Sequence, residues 1–326
     1  MIDYTIYNRE RLTLSQLSER SREWSLFISG LNPTDRVRTV FARVNARRKH
    51  WLVHNEYDLE EGDKADLAGG ELHAPAGEDE ADYWHRYLED GGIDLSCGEV
   101  CIDITGLMRP HLAYLVPLLE SIGGERVHIL YSDPQRYEKA ERTEFVTGEV
   151  TEVRQVAGFE GQHTTDTSND LLIIGVGYDH KLIRRVAESK ENARKLQLFG
   201  LPSLQPSMYQ ESVVSSHRAA ESLGTSIDEE PLFASANDPF ATAQVLHDRL
   251  DRIHAGRPVT NLYLSAFGPK PHVLGFALFA QLNAHAVPTS LLHAFADHYL
   301  KRDSRGMSHV WLYTLELAGL RKQLRR

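Results

Sequence analysis

The stretch that decides the fold is Ile104-Thr105-Gly106-Leu107-Met108-Arg109-Pro110-His111-Leu112, because a near copy returns as Ser265-Ala266-Phe267-Gly268-Pro269-Lys270-Pro271-His272-Val273. Each copy follows a strand-like apolar run, Val100 to Ile104 or Asn261 to Ser265. Each sets a cation before a Pro-His pair and opens an apolar helical stretch. The spacing continues downstream, since Pro110 is followed by Tyr137 at nearly the interval that separates Pro271 from Tyr299. A fixed internal repeat of this size predicts a tandem duplication of one α/β unit.

Working outward, strands and helices alternate on both sides of each copy. Ser25 to Gly30, Trp51 to His54 and Val127 to Tyr131 read as strands in the first half. Asn32-Pro33-Thr34-Asp35 supplies helix-start chemistry before Val37, Val40, Phe41 and Val44. In the second half, Leu171 to Gly175, Lys195 to Phe199 and Pro288 to His293 read as strands. Asn237-Asp238-Pro239 caps a helix that ends near Gly256. The alternation predicts two Rossmann-like units with mainly parallel sheets. Their expected bounds are 1–137, with an acidic insertion at about 56–95, and 170–326, with a C-terminal strand at His309 to Leu315 and a basic tail. Residues 138–169, which alternate over Phe145 to Val153, are expected to join them as a small hairpin.

The chain has 326 residues, 41% of them hydrophobic, enough for two cores. Its net charge of −10 disfavours sequence-independent duplex binding, which needs a broad basic face. Much of the acidity falls between Glu56 and Asp90, which reads as an exposed insertion. Cys97 and Cys101 form neither a zinc set nor a disulfide framework, so the sequence nominates no metal ligand and no cofactor. No stretch reads as a membrane helix and the start has no signal-peptide layout, so a soluble, cytoplasmic protein is expected.

In a parallel α/β sheet, ligands gather at the carboxyl ends of the strands, where helix N-termini present free N–H groups. Four loops there carry the candidate ligand-binding residues: Gly30 and Asp35; Thr105, Gly106 and Arg109; Gly175, Gly177 and Tyr178; Ser265, Gly268 and Lys270. Arg109 can grip phosphate with a bidentate fork and Lys270 as a point charge. Asp103, Asp179 and Asp238, assisted by His111 or His272, are the candidate acid/base groups, although a strand-end carboxylate also serves as a turn cap and a helix-start histidine as packing. Gly175-Val176-Gly177 lacks the third glycine of a dinucleotide fingerprint, for His180 stands there, which disfavours a nicotinamide enzyme.

These turns resemble the Thr-Gly-Gly-Thr-Lys-like turn of CRISPR-associated Rossmann-fold (CARF) domains and their tandem SAVED-type relatives. Thr105, Gly106 and Arg109 match its first, second and, as a cation, last positions; Gly268 and Lys270 match its third and last. The resemblance covers the two α/β units and departs from the pattern at two or more positions in each. It implies a sensor that binds a cyclic or linear oligonucleotide messenger in a cleft between the halves, in prokaryotic antiviral defence, acting through a separate effector or partner protein. The sequence leaves two alternatives: a Rossmann-like hydrolase or transferase acting on a nucleotide or phosphosugar, and a scaffold subunit of a larger complex.

Overall fold

The computed structural model describes residues 4, 8–64, 67, 69–122, 124–137, 146–223, 230–283, 286–300, 304–317 and 319. The chain divides into two compact units, one of residues 7–138 and 298–326 and the other of residues 1–6 and 139–297. We call them the first and second units after their central strands.

The first unit contains β1 (Asn8–Leu12), α1 (Leu14–Arg20), β2 (Leu26–Gly30), α2 (Asp35–Arg43), β3 (Arg48–Leu52), α3 (Glu61–Lys64), β4 (Glu71–His73), α4 (Glu80–Asp90), β5 (Val100–Asp103), α5 (Arg109–Ile122) and β6 (Arg126–Tyr137). The second contains β7 (Val146–Gln155), β8 (Leu171–Gly175), α6 (His180–Ser189), β9 (Arg194–Gly200), α7 (Met208–Arg218), α8 (Ala220–Leu223), β10 (Leu232–Ala234), α9 (Pro239–Gly256), β11 (Leu262–Ala266), α10 (Lys270–Asn283) and β12 (Thr289–Tyr299). The last strand, β13 (Ser304–Glu316), returns to the first unit.

The two sheets repeat one topology. The first runs β1-β13-β6-β5-β2-β3-β4 and the second β10-β9-β8-β11-β12-β7. Read from β4 and from β10, both place the first strand of the repeat in the middle and step outward through parallel neighbours. The registers also correspond: Leu26 pairs with Arg48 and Val100, as Leu171 pairs with Arg194 and Leu262. The helices that follow, α5 and α10, each run 14 residues from a cation. The repeated tyrosines are explained by this too, because Tyr137 and Tyr299 are the last residues of β6 and β12.

Two expectations change. The C-terminal strand does not finish the second unit; β13 pairs antiparallel with β6 of the first, Leu312 opposite Leu130. A long-range antiparallel partner leaves no local trace in sequence, so chain order alone assigned it wrongly. In the joining segment β7 lies on the edge of the second sheet, and residues 138–145, where part of the expected hairpin falls, lie outside the described residues. The acidic insertion is largely folded: β4 extends the sheet, and α4, capped by Asp79 through a bond from the Asp82 amide, buries Tyr83, Trp84 and Tyr87. His85, Arg86, Glu89 and Asp90 occupy the outer face of an amphipathic helix, whose inner face carries the aromatics at helical spacing. The basic tail, 320–326, lies outside the described residues.

The first core forms where α2 crosses the sheet. Val37, Val40 and Phe41 recur at the spacing of one helix face and are fully buried, and Phe41 stacks on Trp51 with centroids 3.6 Å apart. Among the described residues, no helix is long and apolar enough to cross a membrane.

Candidate functional site

The glycines at the carboxyl ends of the strands are required by packing of one loop on the next. A Cβ on Gly106 would lie 1.8 Å from the Gly30 carbonyl oxygen, and one on Gly30 would lie 2.5 Å from the Gly106 carbonyl carbon. The second unit repeats the device with Gly177, where a Cβ would lie 2.0 Å from the Phe267 oxygen. Gly175 lies against Phe276 of α10, and Gly268 against the His272 ring. Loops thus cross at the switch point of each sheet, where the helices depart on opposite sides.

The candidate carboxylates hold these loops. Asp103 is fully buried, accepting from the Ser29 hydroxyl at 3.0 Å and from the Thr105 amide at 2.9 Å. Thr105 in turn accepts from the Ser132 amide at 3.0 Å. Asp179 caps α6 through the Lys181 amide, and Asp238 caps α9 through the amides of Phe240 and Ala241. Ser265 holds the register position of Asp103 in the second unit and is buried. Asp35 is exposed at the start of α2, Tyr178 is half-buried, and Arg109 and Lys270, also half-buried, begin α5 and α10. Neither of those two helices has an acidic residue in its first turn.

The two histidines matched in sequence have different surroundings. His272 is fully buried, with Nε2 3.1 Å from the Ser235 carbonyl oxygen, and burial pushes its pKa down to about 4. A neutral ring donating to that carbonyl is a packing role. His111 instead turns its Nε2 toward Glu56 Oε1 at 3.6 Å, while its backbone oxygen accepts from Trp84 Nε1. His54 lies beside it, ring centroids 4.7 Å apart, and Tyr83 stacks on His54 at 5.1 Å and tilts over His111 at 4.4 Å. Burial alone would raise Glu56, but the His111 hydrogen bond and the charges of His54 and His111 bring its pKa down to about 2. Donor atoms of His54, Glu56 and His111 all lie within 4.8 Å of one another, so this set could hold a metal ion. A second such set is His50, Glu71 and His73.

Sequence reading missed His54 and Glu56, which the insertion folds back beside α5, and two further groups. Arg36 is buried and donates to the Ser132 carbonyl and the Ser304 hydroxyl. Asp133, 1% exposed, accepts from Trp311 Nε1 at 2.7 Å, and its Oδ1 has no hydrogen-bond partner among the described residues. Burial pushes its pKa up to about 6 against the Trp311 bond and the charge of Arg36.

In the second unit, α6 leaves the carboxyl end of β8 and its first turns line a cavity of about 410 Å³ with His180, Lys181, Arg184 and Arg185, opposite Glu149 and Val150 of β7. The nearby loop from Gly175 was legible in the sequence; the arginines one turn along were not singled out.

No family model matches the chain, and no curated protein does. Among solved structures, phosphoethanolamine N-methyltransferase 1 of Haemonchus contortus, in complex with phosphoethanolamine and S-adenosylhomocysteine, is 8% identical. The match spans 92% of this chain and 91% of that one at a TM-score of 0.22, too low to carry an argument.

Proposed function

We propose that this protein binds a nucleotide-type anion at the carboxyl ends of its parallel strands and acts as a ligand sensor. The observation that carries the reading is the cavity at the start of α6, where His180, Lys181, Arg184 and Arg185 converge. Its volume lies within the roughly 300–1,000 Å³ of small-molecule sites. The positive end of the α6 dipole adds to the same attraction. Arg109 and Lys270 supply the corresponding charge at the starts of α5 and α10. Together with the CARF-like turns, this favours an oligonucleotide messenger over a mononucleotide, and a role in prokaryotic antiviral defence through a separate effector protein.

The test is calorimetric titration with mononucleotides and with linear and cyclic oligonucleotides, on wild type and on Arg184→Ala/Arg185→Ala. Binding weakened at least tenfold in the double variant supports the reading. Equal affinity in both proteins, or no binding by the wild type to any of these, refutes it.

A second reading is supported by the pairing of His111 with Glu56. A carboxylate holding an imidazole at the carboxyl end of the sheet is a general acid/base arrangement, suited to a hydrolase or transferase acting on a nucleotide or phosphosugar. Turnover by the wild type that Glu56→Gln abolishes would establish it.

A further inference from the structure

The edge of the first sheet carries a second histidine cluster, built from β3 and β4. His50 on β3 pairs directly with Glu71 on β4. His73 follows Glu71 by two positions, so strand alternation sends its side chain to the same face. His50 Nε2 lies 3.6 Å from Glu71 Oε2, and His73 Nε2 lies 3.8 Å from the same oxygen. His50 is fully buried, and neither Nε2 atom has a hydrogen-bond partner among the described residues. Two buried imidazole nitrogens thus converge on one carboxylate oxygen without bonding to it.

The surroundings fix these rings. Tyr87 of α4 lies 2.7 Å from His50 Nδ1, which orients the ring and leaves Nε2 facing Glu71. A hydrogen bond on the far nitrogen is the usual support for a ligating histidine. His73 packs on His50 at a centroid distance of 4.4 Å. Arg48 grips Glu71, Nη2 to Oε2 at 3.1 Å and Nε to Oε1 at 3.3 Å.

We infer that His50 Nε2, His73 Nε2 and Glu71 Oε2 form a site for a divalent transition metal of the zinc type, which fastens the short edge strand β4 to the sheet. All three donors lie within 4.8 Å of one another. Zinc bonds of about 2.0–2.1 Å with tetrahedral angles require donors roughly 3.3 Å apart, so small rotations close the site. Two of three donors are nitrogen, which disfavours calcium and magnesium. The guanidinium of Arg48 holds the Glu71 carboxylate in place through both of its oxygens. Glu71 is half exposed, which leaves the fourth position to water. The consequence is structural: β4 is only three residues long and, among the described residues, has a neighbour on one side alone, so a clamp there steadies the insertion.

The test uses the full chain, stripped with a chelator and dialysed against micromolar zinc, with bound metal measured by mass spectrometry. His50 is too deeply buried to substitute safely, so His73→Gln and Glu71→Gln carry the experiment, and Glu56→Gln reports on the other cluster. The expected result is one zinc per chain fewer in His73→Gln and in Glu71→Gln than in the wild type, counted separately from any zinc lost in Glu56→Gln. Zinc should also slow amide exchange at residues 71–73 in the wild type. A wild type that takes up no zinc, or His73→Gln and Glu71→Gln proteins that retain the wild-type amount, overturns the inference.

Discussion

Replacing Asp133 by asparagine is expected to stabilise the protein at neutral pH and to change little at pH 4. Asp133 is buried beside Trp311, and burial raises its pKa from the ordinary 3.8 to about 6, against the Trp311 bond and the Arg36 charge. Between those values the folded protein holds a proton that the unfolded chain has released. Stability therefore falls as pH rises from about 4 through 6, the direction set by a folded-state pKa above the unfolded one. At about 1.4 kcal/mol per pH unit the gap costs roughly 3 kcal/mol above pH 6. Asparagine carries no charge to desolvate, and its Oδ1 can still accept from Trp311 Nε1. For a unit of this size roughly 3 kcal/mol raises Tm by about 6–12 °C. The assay is thermal unfolding of both proteins from pH 4 to 8. A gap that opens across pH 4–6 and then stays constant supports the reasoning; one independent of pH, or a variant less stable at pH 8, refutes it.

Two further outcomes follow from the strand-end loops. Gly106→Ala drives a methyl group into the Gly30 carbonyl and should cost several kcal/mol in urea unfolding, roughly the range of severe steric changes, whereas Gly62→Ala, with open space around it, should cost nothing measurable. Glu56 has a depressed pKa, so its contribution to stability is complete above about 4.5 and disappears as pH falls toward 2. Acid unfolding of the wild type should therefore be steeper through that window than that of Glu56→Gln, and parallel curves would show that His111 and His54 do not hold the carboxylate.

The repeated motif made the fold legible because its signals are local. A strand, a tight turn, a cation and a helix start occupy consecutive residues, and both copies proved to be β5-α5 and β11-α10. Helix caps at Asp179 and Asp238 were equally readable. The site was less so, since its members come from segments that only the sheet brings together. His54 and Glu56 reach His111 from more than fifty residues earlier in the chain, and Asp133 meets Trp311 through the antiparallel β6 and β13 pair. One signal was present and underused: Tyr83, Trp84 and Tyr87 recur at helical spacing inside the acidic stretch, which marks a buried face where net charge alone suggested a solvated loop.

The duplication also shows which features the fold demands and which each half chose. Parallel register, a loop crossing at the switch point and a helix beginning on a cation recur in both units, so they belong to the architecture. The side chains at equivalent places do not recur. Asp103 binds two donors where Ser265 is simply buried, and His111 faces a carboxylate where His272 faces a main-chain carbonyl. Between β3 and β5 the first unit carries aromatic and histidine clusters under α4; the second presents arginines beside a cavity. If both halves served one chemistry, their polar residues would have been held alike along with the backbone. Their divergence on a shared frame sets an imidazole beside a carboxylate at the strand ends of the first unit and a histidine bound to a main-chain carbonyl at the matching place of the second.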